Sequence, residues 1–203
     1  MSTPPPRLTD RKREAIVQAA IDEFGDHGFE VTSMDRIAAR AEVSKRTVYN
    51  HFPSKEELFA EIMQRLWSRA GESPDDPYCP TVGLREQLRE LLQAKMATLS
   101  DPNFIGLARI AIGATVHSPD RAKVWVTRLN QREETFSAWV RAAQKDGRIK
   151  PVDPGFAASQ LHALMKTFAF WPQVTLNEPL LPAEKQAAVI EGALEMFLNW
   201  YAV

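Results

Sequence analysis

Four polar side chains that can donate hydrogen bonds lie close together in the segment KRTVYNH. Lys45 and Tyr49 are four residues apart. Arg46 and Asn50 repeat this spacing one position later, so a helix would carry all four on one side. Lysine and arginine suit phosphates and guanine edges, whereas asparagine suits the edge of adenine. This pattern indicates a surface that can contact double-stranded DNA.

The helix that must carry these side chains is short. Ser44 is a good N-cap residue, and Pro53 stops the helix after barely two turns. A helix of this length is marginal in water by itself, so tertiary packing must hold it. Val48 and Phe52 are four residues apart and point to the opposite side. We expect these two side chains to supply the packing and to be core residues only.

Two helices are predicted before this one. The first begins near Asp10 and ends in the glycine-containing segment GDHG, whereas the second is capped by Thr32. Three short helices with a tight turn between the last two match a helix-turn-helix. In that motif the second helix of the pair enters the major groove while the first crosses the backbone. Residues 33–40 are therefore predicted to brace the helix at 45–51.

Helix starts add candidate contacts, because free backbone N–H groups and the helix dipole favour anions there. Thr32 and Lys55 hold such positions. Phosphate contacts are commoner than base contacts, so Lys45 is predicted to bind phosphate, and Arg46 or Asn50 to read bases. The full set of predicted DNA-contacting residues is Thr32, Ser33, Ser44, Lys45, Arg46, Thr47, Tyr49, Asn50, His51 and Lys55.

Two of these features keep alternative interpretations. His51 is either a phosphate contact or an ordinary exposed residue. The basic cluster between Arg7 and Arg13 is either an arm that enters the minor groove or a solvated tail.

The stretch FGDHGFEVTSMDRIAARAEVSKRTVYNHFPSKEELF resembles the DNA-binding domain of the TetR family, over about residues 11–66. The motifs that carry the resemblance are GF at 28–29, TSM at 32–34, IA at 37–38, VSK at 43–45, YNHF at 49–52 and SKEEL at 54–58. In addition, the segment KTFAFWP at 166–172 is similar to the AefR-like C-terminal subgroup of this family.

Two positions depart from the commonest form of the family. Glu42 stands where glycine is usual in the turn, which predicts that a positive φ is not required there. Arg46 stands where a small glycine is frequent. It adds a long cation to the predicted DNA surface, and this should alter operator preference.

Helical periodicity continues along the chain without sustained strand alternation, so the prediction is an all-α fold of about nine helices. A seventh helix is expected to begin at Ser118–Pro119, and an eighth to run from Asp153–Pro154 to about Trp171–Pro172. The predicted divisions are a disordered arm at 1–8, a helix-turn-helix DNA-binding domain at 9–53, a connecting helix at 54–72, and an effector-binding and dimerisation domain at 73–203.

The resemblance implies that the second domain holds a small-molecule cavity and dimerises through its last two helices. Aromatic and apolar stripes in this domain are more often core than pocket, while buried polar groups need partners, one of which could be a ligand. The candidate ligand-binding residues are Phe104, Arg109, His117, Trp125, Trp139, Met165 and Phe168.

Composition excludes several classes of protein. The 203 residues carry a net charge of −1, which argues against a protein that coats nucleic acid through bulk basicity. The sequence shows no secretory signal and no apolar stretch long enough to span a membrane, so we expect a cytoplasmic protein. The four histidines lack metal-ligand spacing, and there is no phosphate loop or nucleophile elbow. No metal, cofactor or enzymatic activity is therefore expected.

The resemblance implies a homodimeric transcriptional regulator of the TetR type. It further implies repression from a palindromic operator and release by a small-molecule effector. One alternative is a DNA-binding dimer of the same fold without an effector. A second is a helical enzyme or carrier with a vestigial DNA motif, for which a converging acid–base pair would be the sign.

Overall fold

The computed structural model describes residues 8–69, 78–116, 118, 120, 123 and 134–203. The helices with defined bounds are α1 Leu8–His27, α2 Met34–Arg40, α3 Lys45–His51, α4 Lys55–Arg69, α5 Leu84–Leu99, α6 Pro102–Val116, α7 Glu134–Lys145, α8 Pro154–Ala169, α9 Trp171–Thr175 and α10 Ala183–Tyr201. In these residues the only β contact is an isolated antiparallel bridge between Ile149 and Ala202. The predicted all-α fold is confirmed.

The chain forms two compact units. The first contains residues 1–66 and 106–122, and the second contains residues 67–105 and 123–203. Most of α4 and the later part of α6 thus group with the three N-terminal helices. The functional division inferred from the sequence, with boundaries near 53 and 72, stays a prediction.

In the first unit, α1, α2 and α3 pack against one another. Val48 of α3 and Ile37 of α2 are fully buried, and Phe52 is nearly so. Phe24 of α1 lies in the same core and stacks against Phe29, with ring centroids 5.2 Å apart. The short α3 is therefore held by its apolar side, as its spacing predicted.

The turn between α2 and α3 corrects an expectation from the sequence. Glu42 has φ +54°, so the turn does require the left-handed conformation although glycine is absent. The amide of Glu42 donates to Ala39 O at 3.2 Å, and the amide of Val43 donates to Ala38 O at 3.1 Å. These two bonds form a Schellman motif, in which the residue after the C-cap is left-handed. They satisfy the last carbonyls of α2 and hold Glu42 in a conformation that disfavours a side chain.

The start of α2 gives a second correction. Ser33 is the N-cap residue, and its Oγ accepts from the amide of Arg36 at 3.3 Å. Thr32, which the sequence suggested as the cap, is buried. Its hydroxyl lies 2.8 Å from Gly28 O and 3.1 Å from Glu23 O, and donates into the protein.

In the second unit, α8 packs against α5, α7, α9 and α10. Trp139 of α7 and Met165 of α8 are fully buried in its core. Gln87 of α5 is also buried, and its amide nitrogen donates to Cys79 O and Val82 O at 2.8 Å each. Its side-chain oxygen accepts from Cys79 N at 2.7 Å. Gln87 thus fixes the segment that precedes α5.

One predicted helix boundary differs from the structure, and another lies outside the described residues. The predicted eighth helix ends at Ala169, and a separate short helix, α9, follows from Trp171. Phe170 breaks the helix with φ −137° and ψ −61°. Pro119, near which the predicted seventh helix begins, lies outside the described residues. No described helix is long and apolar enough to cross a bilayer.

Replacing Glu42 by glycine should remove the cost of the left-handed conformation. We expect the free energy of unfolding to rise by up to about 1 kcal/mol, because that cost exceeds the flexibility glycine adds to the unfolded chain. Urea unfolding followed by circular dichroism measures this change. The control Ala39→Gly, at an exposed position inside α2, should lose about 1 kcal/mol. Equal losses in both variants would contradict a strained turn.

Candidate nucleic-acid interface

The outer side of α3 is open to solvent. Lys45, Arg46, Tyr49 and Asn50 are all exposed, as the spacing predicted, while Val48 lies on the opposite, buried side. Ser44 caps the helix, because its Oγ accepts from the amide of Thr47 at 3.1 Å. These features place the predicted donors on one accessible face.

Other predicted contacts lie beside this face. Ser33 is exposed at the start of α2, whereas Thr47 and His51 are half-buried on α3. The hydroxyls of Ser44 and Thr47 are 2.8 Å apart and share a hydrogen bond. Contact of these residues with DNA stays a prediction.

An ion pair joins the starts of α2 and α3. Lys45 Nζ lies 2.8 Å from Oδ1 and 3.0 Å from Oδ2 of Asp35. The hydrogen bond from Lys45 to this carboxylate raises the pKa of the lysine. The outward residues of the two helices thus form one surface, which we call the α2–α3 surface. Its members are Ser33, Asp35, Lys45, Arg46, Tyr49 and Asn50.

Two predicted phosphate contacts, Thr32 and Lys55, have partners within the protein. Thr32 is buried and its hydroxyl donates into the protein, so its side chain does not face solvent. Lys55 Nζ donates to three carbonyls, those of Phe29 at 2.7 Å, Glu30 at 3.1 Å and Thr32 at 3.1 Å. An ammonium has three N–H groups, so all of them are used. Lys55 therefore joins the start of α4 to the turn before α2.

A buried carboxylate joins α2 to α1, and this link was not predicted from the sequence. Glu23 accepts from Arg36 Nε at 2.8 Å and from Arg40 Nη1 at 3.0 Å. Burial alone would raise the pKa of Glu23, but the hydrogen bonds from Arg40 and Arg36 outweigh it, and the pKa is lowered. Arg40 also donates to Asp26 at 2.7 Å. The brace helix is thereby fixed at both its middle and its end.

A second network joins α1 to α4. Arg13 donates to both oxygens of Glu61, at 3.1 and 2.8 Å. Arg65 donates to Glu61 at 3.1 Å and to both oxygens of Glu14 at 2.7 Å. The guanidinium carbon of Arg13 also lies 5.0 Å from the ring centroid of Phe52.

This engagement of Arg13 removes it from the proposed N-terminal arm, because its guanidinium already has a partner on α4. Arg11 and Lys12 are exposed on α1. Arg7 lies outside the described residues. The choice between a minor-groove arm and a solvated tail stays open for these three cations.

The predicted ligand-binding residues do not share one environment. Phe104, Trp139 and Met165 are buried, and the indole N–H of Trp139 lies 3.4 Å from the Gln87 side-chain oxygen. Phe168 is 52% exposed, and Arg109, expected on a buried helix, is also exposed. Neither of those two is enclosed by the core, and a ligand-binding role for them stays a prediction. His117 and Trp125 lie outside the described residues.

Two grooves of about 610 Å³ each lie elsewhere in the second unit. One is lined by the end of α7 and residues 149–152. The other lies between α8 and α10, and Leu164, Met196 and Trp200 are among its lining residues. Neither is lined by a predicted ligand-binding residue.

The models of two known protein domains match this chain. Residues 16–62 match the model of bacterial regulatory proteins of the tetR family. Residues 86–203 match the model of the AefR-like transcriptional repressor C-terminal domain. The chain belongs to the TetR family. The resemblances seen at 11–66 and at 166–172 are thereby confirmed.

Individual relatives agree with this assignment. A TetR-family transcriptional regulator from Pseudomonas syringae pv. tomato is 68% identical, and the match covers 97% of this chain and 99% of that one, with a TM-score of 0.83. The flavonoid-responsive regulator FrrA is 28% identical over 95% of this chain and 98% of its own, with a TM-score of 0.71. The transcriptional regulator RutR of Escherichia coli is 26% identical over 83% of this chain and 79% of its own.

TetR-family proteins are DNA-binding transcriptional regulators and not enzymes, and this chain is one of them. Its predicted helix-turn-helix is the part that matches the N-terminal model. The described residues hold no group of three or more histidine, cysteine or acidic side chains that could bind a metal ion.

Glu23→Gln should destabilise this TetR-family protein at neutral pH by about 1–3 kcal/mol, because two charge-assisted hydrogen bonds are weakened. The pKa of Glu23 is below its ordinary value of 4.5. The stabilisation is therefore complete above about pH 5 and is lost as the pH falls through the lowered pKa. Urea unfolding at several pH values should show the gap between variant and wild type closing in acid.

Glu178→Gln is the control, because Glu178 is exposed in the second unit. It should match the wild type at every pH. A gap for Glu23→Gln that stayed constant from neutral to acid pH would show that its charge is not what stabilises the protein.

Proposed function

We propose that this regulator is a homodimeric repressor that binds a palindromic operator through the α2–α3 surface and is released by a small-molecule effector. The observation that carries the proposal is the exposed row of donors on α3, within the segment that matches the family's DNA-binding model. A dimer would present two such surfaces about 34–36 Å apart, or a multiple of that distance, which calls for a palindrome. Because it acts on DNA, we place it in the cytoplasm.

Roles on the α2–α3 surface follow from side-chain chemistry. Arg46 can bind a guanine edge through two N–H groups, and Asn50 can bind an adenine edge in the same way. Ser33 and the Tyr49 hydroxyl are suited to phosphate or base contacts. We assign base reading to Arg46 and Asn50.

The dimer interface is proposed on the last two long helices. Phe168 of α8 and Trp200 of α10 are 52% and 71% exposed. Met196 and Phe156 add to this apolar face, and the α8–α10 groove lies within it. An exposed apolar face of this kind marks an interaction surface. Two helices from each protomer would bury it as a four-helix bundle.

The effector is proposed to act through α4. Lys55, the first residue of α4, holds the carbonyls of the turn that leads into α2. A displacement of α4 would therefore carry that turn and α2 with it. An effector that prefers the displaced state lowers operator affinity by its differential affinity for the two states.

The similarity to FrrA, a flavonoid-responsive regulator, supports a small aromatic effector. The alternative, a DNA-binding dimer without an effector, is favoured by a different observation. Trp139 and Met165, two predicted ligand-binding residues, have no exposed surface. Operator affinity measured with and without a panel of flavonoids and other planar aromatic compounds separates the two. Saturable binding of such a compound with unchanged operator affinity would support the alternative.

Arg46→Ala should weaken binding to the operator by about 5- to 150-fold for each half-site, because a bidentate base contact contributes about 1–3 kcal/mol of discrimination. An operator obtained by selection from random duplex DNA serves as the ligand, and fluorescence anisotropy gives the affinity. Selection repeated with the variant should lose its preference at one base pair of each half-site. Lys145→Ala, which removes an exposed cation from α7, should leave affinity and preference unchanged. An unaltered selected sequence for Arg46→Ala would show that Arg46 reads no base.

Trp200→Glu should convert the dimer into a monomer, because it places a charge in the centre of the proposed apolar interface. Light scattering coupled to size-exclusion chromatography measures the mass. Val31→Glu introduces the same charge at a residue that is 72% exposed in the first unit, and should remain dimeric. A Trp200→Glu variant that stays a dimer would exclude this face as the interface.

A further inference from the structure

The cations of α2 and α3 differ in how their charge is compensated. Arg36 and Arg40 both donate to the buried Glu23. Lys45 is paired with Asp35. Among the described residues, Arg46 is the cation of these two helices for which no ion pair is found. On α3, the charge of Lys45 is therefore compensated by a neighbouring carboxylate, and no such pair is found for Arg46 among the described residues.

The Lys45–Asp35 pair is well formed although it is open to solvent. Both side chains are 62% exposed. The lysine nitrogen lies within 3.0 Å of both carboxylate oxygens, so the carboxylate contacts the ammonium through both of its oxygens. The pair is electrically neutral as a unit, and it lies beside Arg46 on the α2–α3 surface.

A purely stabilising role explains only part of this arrangement. An acid in the first turn of a helix adds a small stabilisation through the helix dipole, and Asp35 is in the first turn of α2. An exposed ion pair adds little to stability, because water screens it. Neither effect accounts for a carboxylate on a surface that approaches a polyanion, where it opposes association.

The consequence for DNA binding follows from what each cation can do. A lysine is a point charge suited to phosphate, and phosphate contacts give affinity without sequence information. A lysine held by a neighbouring carboxylate must either break that pair or share its ammonium with the carboxylate when it binds phosphate. The Asp35 carboxylate also repels the phosphate that would replace it.

We propose that Asp35 is a specificity-determining residue, which withholds Lys45 from the DNA backbone and so leaves discrimination to Arg46 and Asn50. This inference rests on the proposed use of the α2–α3 surface. It replaces the expectation that Lys45 is a principal phosphate contact. Asp35 lowers affinity for every DNA sequence, and it lowers affinity for non-operator DNA by the larger factor, because without base contacts to fix the register the protein can take the position in which a freed Lys45 meets a phosphate.

The size of the effect follows from counterion release. Each phosphate contact adds about 0.9 to the magnitude of the slope of log affinity against log salt concentration. Freeing Lys45 in both subunits of a dimer should therefore steepen that slope by about 1–2. At moderate salt, affinity for non-operator DNA should rise at least about threefold.

The test compares Asp35→Asn with Glu14→Gln in the full-length protein. Both substitutions remove one negative charge from the first unit, and Glu14, which pairs with Arg65, is 61% exposed. Fluorescence anisotropy measures binding to the selected operator and to a scrambled duplex over a series of salt concentrations. Asp35→Asn should bind the scrambled duplex at least about threefold more tightly, with a steeper salt slope and a smaller operator-to-scrambled ratio. Glu14→Gln should show neither the steeper slope nor the smaller ratio.

Adding Lys45→Gln to Asp35→Asn should restore the wild-type slope, because the freed cation is then absent. Asp35→Ser keeps a residue suited to a helix start and should behave like Asp35→Asn, which guards against a folding defect in one variant. Unchanged or weaker binding of scrambled DNA by both folded variants would overturn the proposal. So would a loss of operator affinity confined to one base pair, since that would show Asp35 accepting a hydrogen bond from a cytosine.

The scrambled duplex also separates this inference from the proposed function. If selection with the wild type yields no preferred sequence, the proposed operator binding fails. The slope difference between Asp35→Asn and wild type on scrambled DNA still decides the role of Asp35.

Discussion

A seven-residue helix cannot stand alone in water, and this constraint governs the first unit. Val48 and Phe52 hold α3 from one side, which leaves its other side free for polar residues. The same limit applies to α2, which also has seven residues. Its compensation is electrostatic as well as apolar, because Glu23 accepts hydrogen bonds from two of its arginines. Burial of Glu23 without those arginines would be unfavourable, so the acid and the two cations depend on one another.

Local patterns predicted the elements and the exposed side of α3, because helical period and capping depend on neighbours in the sequence. Ser44 caps α3 as expected, for this reason. The hydrogen bonds of Lys55 could not be predicted, because its partners are carbonyls more than twenty residues earlier in the chain. Their positions depend on how α1, α2 and α4 pack. Glu42 was misassigned because the Schellman geometry requires a left-handed residue whatever its side chain.

The second unit shows a different limit of prediction. A helix that is apolar on two sides does not reveal which side faces the core, and α8 is such a helix. Met165 faces inward while Phe168, three residues later, faces solvent. The buried Gln87 shows the converse, because a polar residue enters the core when backbone groups of the preceding segment satisfy it.

The ion pairs that fix α2 have a thermodynamic consequence for association. In the absence of DNA, Glu23 already joins α1 to α2. Lys55 of α4 likewise holds the turn before α2. Side chains and loops that are already ordered lose little conformational entropy when a partner arrives. When the α2–α3 surface binds a DNA duplex, the protein should therefore lose little conformational entropy. The salt-dependent release of ions and the deformation of the DNA would then dominate the heat and entropy of binding.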